Sequence, residues 1–238
     1  MENTGFAYRE VSSASSLVSI EKRVINQVFF WMMLGLLFTA GTAWWAAGTE
    51  SVRNIVFGNR LVFWGLIIAE LGLVFAISGL INRISSMAAA GLFFLYSGLN
   101  GLTLSSIFLV YNLGSIAGVF LITAGMFGAM AVFGATTKMD LSKIGALLFM
   151  ALIGMVIAGL VNIFLGSSML SMIISAIGVV VFTGLTAYDM QRIKEMASAA
   201  LDGESEGKIA VMGALSMYLN FINLFLSLLQ LFGGRNDE

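Results

Sequence analysis

Residues 61–81 read LVFWGLIIAELGLVFAISGLI, an apolar run with a single acid, Glu70, at its middle. About 20 consecutive apolar residues cross the hydrocarbon core of a bilayer as a helix, so this run has the length of a membrane span. Six more runs of this kind account for most of the remaining chain. The seven predicted spans are residues 27–48, 61–81, 87–110, 114–136, 144–165, 168–188 and 209–232. The sequence therefore predicts an all-α membrane protein, a bundle of seven transmembrane helices over residues 27–233.

The amino-acid composition supports this fold class and excludes several functions. Of the 238 residues, 59% are hydrophobic, against roughly half in a soluble domain. A formal net charge of −1 provides no basic face for nucleic acid. The chain has no cysteine and no histidine, so it lacks thiolate and imidazole ligands as well as the usual catalytic acid–base group. We expect no resident cofactor.

The basic residues predict the orientation of the bundle, because lysine and arginine are retained on the cytoplasmic side. Of the 12 basic residues, nine fall on one side of the predicted spans and three on the other. The nine are Arg9, Lys22, Arg23, Arg83, Lys138, Lys143, Arg192, Lys194 and Lys208. This split predicts a cytoplasmic N-terminus. Residues 1–26 are then a polar cytoplasmic tail rather than a cleaved signal peptide, and residues 234–238 form a short C-terminal tail.

Glu70 is the acid that most needs an explanation. It lies about ten residues from either end of its span, roughly 14 Å deep at 1.5 Å per residue. An ionised carboxylate facing lipid at that depth costs on the order of 3 kcal/mol. We therefore expect Glu70 to face the bundle interior. A place in an ion or proton pathway is favoured, and the alternative is a protonated acid that hydrogen-bonds a neighbouring helix.

Four further polar residues lie in or beside the second, sixth and seventh spans. Asp189 closes the sixth span, and Arg83 follows the second span on the same predicted side, so an Arg83–Asp189 ion pair is geometrically allowed. Such a pair would close the inner mouth of the bundle. Asn220 and Asn223, three residues apart, share one face of the last span. On spacing alone, hydrogen bonding between helices, worth roughly 1 kcal/mol per amide, is the favoured explanation of these two residues.

Four glycines form a small-residue face on the fourth span. They are Gly114, Gly118, Gly125 and Gly128. Small residues let helix backbones approach closely, so we expect this face to pack inside the bundle; an interface between two copies is the alternative. We expect a monomer or a weak homo-oligomer.

Known seven-helix enzymes and photoreceptors are poor matches. A retinal protein needs a lysine deep in a span, whereas every lysine here lies in a tail or in a gap between spans. An intramembrane serine protease normally pairs its serine with histidine, and the chain has none. An aspartyl protease needs two facing carboxylates, and the position opposite Asp189 is an amide. We therefore expect no enzymatic activity.

Two stretches near the C-terminus resemble the Bax inhibitor family, in particular its bacterial branch. They are residues 181–194, VFTGLTAYDMQRIK, and residues 217–226, MYLNFINLFL. Residues 95–104, LYSGLNGLTL, and 125–130, GMFGAM, also look typical of this family. The resemblance extends over about residues 20 to 233. It implies seven helices with the last one central, a cytoplasmic N-terminus and a pH-sensitive calcium leak in the bacterial inner membrane.

The chain departs from the family pattern at one position. The family's pH sensor is a pair of aspartates, of which the first matches Asp189 and the second falls on Asn220. Two carboxylates in contact share a proton and titrate as a coupled pair. Asn220 has no ionisable proton, although it can donate a hydrogen bond to Asp189. The family's arginine after the second span matches Arg83, and its acid within that span matches Glu70.

These observations lead to one preferred function and one alternative. We expect a calcium leak gated where Asp189 meets Asn220 and Arg83, with Glu70 and Asn223 along the ion pathway. Because calcium takes six to eight oxygen ligands, Glu70 and Asp189 would bind it only weakly, as a transported ion. The alternative is a non-conducting membrane protein that modulates a membrane protease, or a stress or cell-death response, a role the resemblance also implies.

Overall fold

The protein is helical throughout the part of the chain that the structure describes. This computed structural model describes the backbone of residues 3–200 and 202–236 and the side chains of residues 18–200 and 202–236. The helices within these residues are α1 (Asn3–Gly48), α2 (Glu50–Gly58), α3 (Arg60–Leu80), α4 (Ser86–Leu104), α5 (Ile107–Val110), α6 (Leu113–Thr136), α7 (Ser142–Leu165), α8 (Ser168–Ser198) and α9 (Gly203–Phe232). Seven of the helical stretches are long and apolar enough to span a membrane, with α4 and α5 together forming the third. The predicted seven-span fold is confirmed.

The last helix, α9, lies at the centre of the bundle. It packs against α1, α4, α6 and α8. In its most apolar stretch 67% of the residues are buried within the protein, against 33% or less in each of the other spans. Its start is well defined, because the Asp202 carboxylate accepts a hydrogen bond from the Ser205 backbone N–H and Glu204 and Glu206 lie in the positively polarised first turn. The prediction of a central last helix is confirmed.

The N-terminal helix begins earlier than the predicted boundary at residue 26. Within α1, Val24 and Val28 are fully buried in the core. Arg23 forms a two-point ion pair with the buried Glu206 of α9, with Nε–Oε2 at 2.8 Å and Nη2–Oε1 at 2.9 Å. Part of the expected tail therefore packs into the bundle.

The expected C-terminal tail also makes contacts with the bundle. The Asn112 N–H donates to the carbonyl of Gly234, and the Asn236 N–H donates to the carbonyl of Val110. These bonds tie residues 234–236 to the link between α5 and α6. The outermost residues of the two expected tails, 1–2 and 237–238, lie outside the described part of the chain.

The helices α3 and α7 lie at the periphery of the bundle. Only 6% of the residues in the most apolar stretch of each helix are buried. The helix α3 packs against α2 and α4, and α7 packs against α8. Each peripheral helix therefore has space between itself and α9. Which end of the bundle faces the cytoplasm stays a prediction from the basic residues.

The glycine face of α6 does not pack inside the bundle, so that prediction is wrong. A Cβ added to Gly118, Gly125 or Gly128 would meet no atom within 4 Å, which leaves this face open. The helix instead approaches α8 through Gly134, where an added Cβ would clash with the backbone carbonyl of Ala187. The alternative, an interface between copies of the chain, stays a prediction.

This difference between two glycines of α6 gives a test of the packing. We expect Gly134→Ala to lower stability by about 1–3 kcal/mol, because the new methyl group must displace a neighbouring backbone. Gly125→Ala should cause no loss, because the site is open and alanine is about 1 kcal/mol better than glycine in a helix. Thermal unfolding of both variants in detergent provides the comparison, and equal melting temperatures would contradict the α6–α8 contact.

Candidate functional site

The half-buried carboxylate of Asp189 on α8 is held by two side chains of α9. Ser216 Oγ donates to Asp189 Oδ2 at 2.5 Å, and Asn220 Nδ2 donates to the same oxygen at 2.7 Å. Ser216 and Asn220 are four residues apart, so one face of α9 presents both donors. Asp189 Oδ1 accepts no hydrogen bond from the described residues. Asp189 and Asn220 are thus in direct contact, and one carboxylate oxygen stays available.

Two cavities meet at this carboxylate. The α7-side cavity, of about 810 Å³, lies among α7, α8 and α9. The α3-side cavity, of about 390 Å³, lies among α3, α8 and α9. The residues that line both are Asp189, Arg192, Ser216 and Leu219. The bonded pair of Asp189 and Ser216 therefore lies between the two cavities.

A polar stripe on α9 follows the α7-side cavity. Its members, all of which line that cavity, are Ser216, Asn220, Asn223, Ser227 and Gln230. Alternating spacings of four and three residues place them on one helix face, over about 21 Å of helix. Asn223 Nδ2 donates to the carbonyl of Leu219 at 2.8 Å, which leaves the Asn223 carbonyl oxygen for another partner.

Glu70 of α3 points toward α4, and it is linked to a face of α9 other than the one that contacts Asp189. Its half-buried carboxylate accepts hydrogen bonds from Thr103 Oγ1 at 2.9 Å and from Asn100 Nδ2 at 3.2 Å, both on α4. Tyr218 of α9 donates to Asn100 Oδ1 at 3.0 Å, and its hydroxyl lies 2.7 Å from Thr39 Oγ1 of α1. Glu70 is therefore linked to the central helix through Asn100 and Tyr218.

The structure does not bring Glu70 and Asp189 together. Glu70 lines neither cavity at Asp189, and each acid takes its hydrogen bonds from a different helix. Among the described residues no cluster of three or more acids has the arrangement of a metal site. A joint calcium site of Glu70 and Asp189 is therefore not supported.

The expected Arg83–Asp189 ion pair is absent. Arg83 is exposed in the turn after α3 and makes no ion pair with any described residue. Since α3 packs against α2 and α4, its end is held away from α8. The cation nearest in sequence to Asp189 is Arg192, one turn along α8, and Arg192 lines the same two cavities.

Sequence reasoning missed several residues that the fold brings to these sites. Ser216 was detectable, because it lies one helical turn before Asn220 on the same face. Asn100 and Thr103, three residues apart within residues 95–104, lie on one face of α4 and both reach Glu70. The partner role of Tyr218 has no comparable signal, because it depends on which helix packs against α4.

Comparisons with known proteins agree with the fold. The family model described as "Inhibitor of apoptosis-promoting Bax1" matches residues 21–237. The inner membrane protein YbhL of Escherichia coli K12 is 53% identical over 211 residues, which cover 88% of this chain and 90% of that protein. An uncharacterized protein of Borreliella burgdorferi is 47% identical over 222 residues, covering 93% of this chain and 96% of the relative.

A Streptococcus pyogenes serotype M6 membrane protein of undescribed function is 44% identical over 188 residues, which cover 79% of this chain and 81% of that protein. These matches cover nearly the full length of the chain, and the structure supplies seven helices that can span a membrane. The chain is a multi-pass inner-membrane protein that belongs to the Bax inhibitor family.

Proposed function

We propose that this chain is a calcium-permeable leak channel of the inner membrane, closed where Asp189 meets Ser216 and Asn220. The observation that carries the proposal is the position of this contact between two cavities. A path from the α3-side cavity to the α7-side cavity passes the Asp189 carboxylate. Opening the path requires the helices α8 and α9 to separate there, which breaks two hydrogen bonds to one oxygen.

The chemistry of the lining suits a cation that passes without being stored. Calcium prefers oxygen ligands, and the polar stripe offers amide and hydroxyl oxygens along α9. The stripe includes no acid, and Asp189 is a single carboxylate beside it. So few charges bind a divalent cation weakly, as conduction requires. The proposal involves no covalent step and assigns no catalytic residue.

Glu70 shares a face of α3 with residues that line the α3-side cavity. Val74 and Ser78 line this cavity, and Glu70 precedes Val74 by one helical turn. Glu70 does not line the cavity itself. In the proposed channel, its negative charge attracts a cation toward this side of the bundle.

The direct test is calcium flux into liposomes that contain only this protein. The proposal predicts flux above that of empty liposomes at some pH between about 5 and 8, the range over which a displaced carboxylate titrates. If well-folded protein gives no such flux over the whole range, the alternative function follows, a non-conducting protein that modulates a membrane protease or a stress response.

In the same assay Glu70→Gln should reduce calcium flux by about fivefold, which corresponds to about 1 kcal/mol of lost Coulomb attraction. Glutamine keeps the shape but has one acceptor oxygen, so it can accept the bond from Thr103 or from Asn100 and not both. The matched control is Glu50→Gln, which removes an exposed acid of α2 outside both cavities. Unchanged flux in a well-folded Glu70→Gln protein would leave Glu70 with a structural role.

Asn220→Asp tests the pH response. With asparagine at position 220, Asp189 titrates as a single carboxylate, so acidification should act weakly. Asn220→Asp restores two carboxylates in contact, and their shared proton should move the pH midpoint of flux upward toward neutrality. Flux is compared from about pH 5 to 8 in the parent, Asn220→Asp and Asp189→Asn proteins. Identical midpoints in the parent and Asn220→Asp would remove position 220 from the sensor.

A further inference from the structure

The α3-side cavity is lined mainly by apolar side chains and by two basic ones, a combination that a calcium path does not require. It lies between α3 on one side and α8 and α9 on the other, and α3 packs against α2 and α4. Most of its wall is apolar, with Val74, Ile81, Met196, Ile209, Met212 and Leu215 among the lining residues. The cleft runs along the last turns of α3, from Val74 to Asn82 just beyond the end of the helix, over about 12 Å.

Two basic side chains line this cleft near its mouth. Arg192 is exposed and forms no ion pair or hydrogen bond with any described residue. Lys208 Nζ lies 3.9 Å from Glu204 Oε1, and Lys208 also interacts electrostatically with Asp202. The Glu204 carboxylate already accepts hydrogen bonds from Ser86 N at 2.7 Å and Ser86 Oγ at 3.0 Å. Asp189 on the same cavity wall interacts electrostatically with Arg192 but forms no ion pair with it, so the Arg192 guanidinium keeps its hydrogen-bond donors free for a ligand at the mouth.

The mouth also lies at the depth where phospholipid headgroups are found. Asn82 follows the end of the α3 span, and Lys208 lies in the second turn of α9. A guanidinium and an ammonium at this level bind a phosphodiester well, and the arginine can bind it with two parallel hydrogen bonds. Basic pockets between transmembrane helices commonly take anionic lipid headgroups.

We infer that the α3-side cavity binds one anionic phospholipid. Its phosphate contacts Arg192 and Lys208, and the first part of one acyl chain lies between α3 and α9 against Met212 and Leu215. Charge complementarity at the mouth and an apolar cleft behind it select this occupant over a soluble anion, which would leave the cleft empty, and over a zwitterionic lipid, whose net charge is zero. The inference does not depend on calcium conduction.

Lipid binding is measured by native mass spectrometry of the detergent-purified full chain, titrated with dioleoyl phosphatidylglycerol. The double variant Arg192→Gln/Lys208→Gln should bind about 30-fold more weakly than the parent, from the usual contribution of two basic residues near a headgroup. The matched control, Lys138→Gln/Lys143→Gln, removes two exposed charges from the α6–α7 link outside this cavity and should bind like the parent.

A second variant tests the acyl-chain part of the site and keeps both charges. Met212→Trp fills the cleft and should also weaken phosphatidylglycerol binding, while dioleoyl phosphatidylcholine should bind the parent at least tenfold more weakly than phosphatidylglycerol. Melting temperatures establish that each variant is folded. Equal binding by the parent and the Arg192→Gln/Lys208→Gln protein would overturn the proposal. Displacement of the lipid by glycerol phosphate alone would overturn it too, because the site would then bind only a phosphate.

Discussion

A helix at the centre of a membrane bundle must satisfy each of its polar side chains within the protein, since lipid offers no hydrogen bonds. The helix α9 meets this requirement on two faces. On one face Ser216 and Asn220 donate to Asp189 of α8. On another face Tyr218 donates to Asn100 of α4. These bonds fix the rotation of α9 relative to its neighbours, so the cavities on either side of Asp189 follow from how α9 satisfies its polar groups.

The residue at position 220 decides how this contact responds to protons. An aspartate there would need a shared proton to form a hydrogen bond with Asp189, so a pair of aspartates comes together only when one is protonated. Asn220 donates through Nδ2 without any proton exchange. Ser216 adds a second donor to the same oxygen. The contact in this chain therefore needs no proton shared between two carboxylates.

The membrane spans were predictable from the sequence because their hydropathy depends on local composition, and the central position of α9 was implied by the resemblance to the Bax inhibitor family. Properties set by distant packing were not predictable. The glycines of α6, such as Gly125, have the spacing of a packed face, yet they face away from the bundle. Arg83 and Asp189 were predicted to form an ion pair at one end of the bundle. The two side chains do not pair, because α3 lies at the periphery. The Arg23–Glu206 pair depends on how α1 packs against α9, which no local pattern indicates.

In the proposed channel, hydrogen bonding to Asp189 keeps the passage between the two cavities closed. The most direct measurement is calcium flux at neutral pH through Ser216→Ala in protein-only liposomes, with Ser198→Ala as the control. The Ser198 hydroxyl donates to the carbonyl of Glu195 in its own helix, and Ser198 lines neither cavity. A hydrogen bond to a charged group contributes about 1.5–3 kcal/mol, so flux should rise about tenfold or more in Ser216→Ala and stay unchanged in Ser198→Ala. Equal flux in the parent and Ser216→Ala proteins, or an equal rise in both variants, would show that this hydrogen bond does not hold the passage closed.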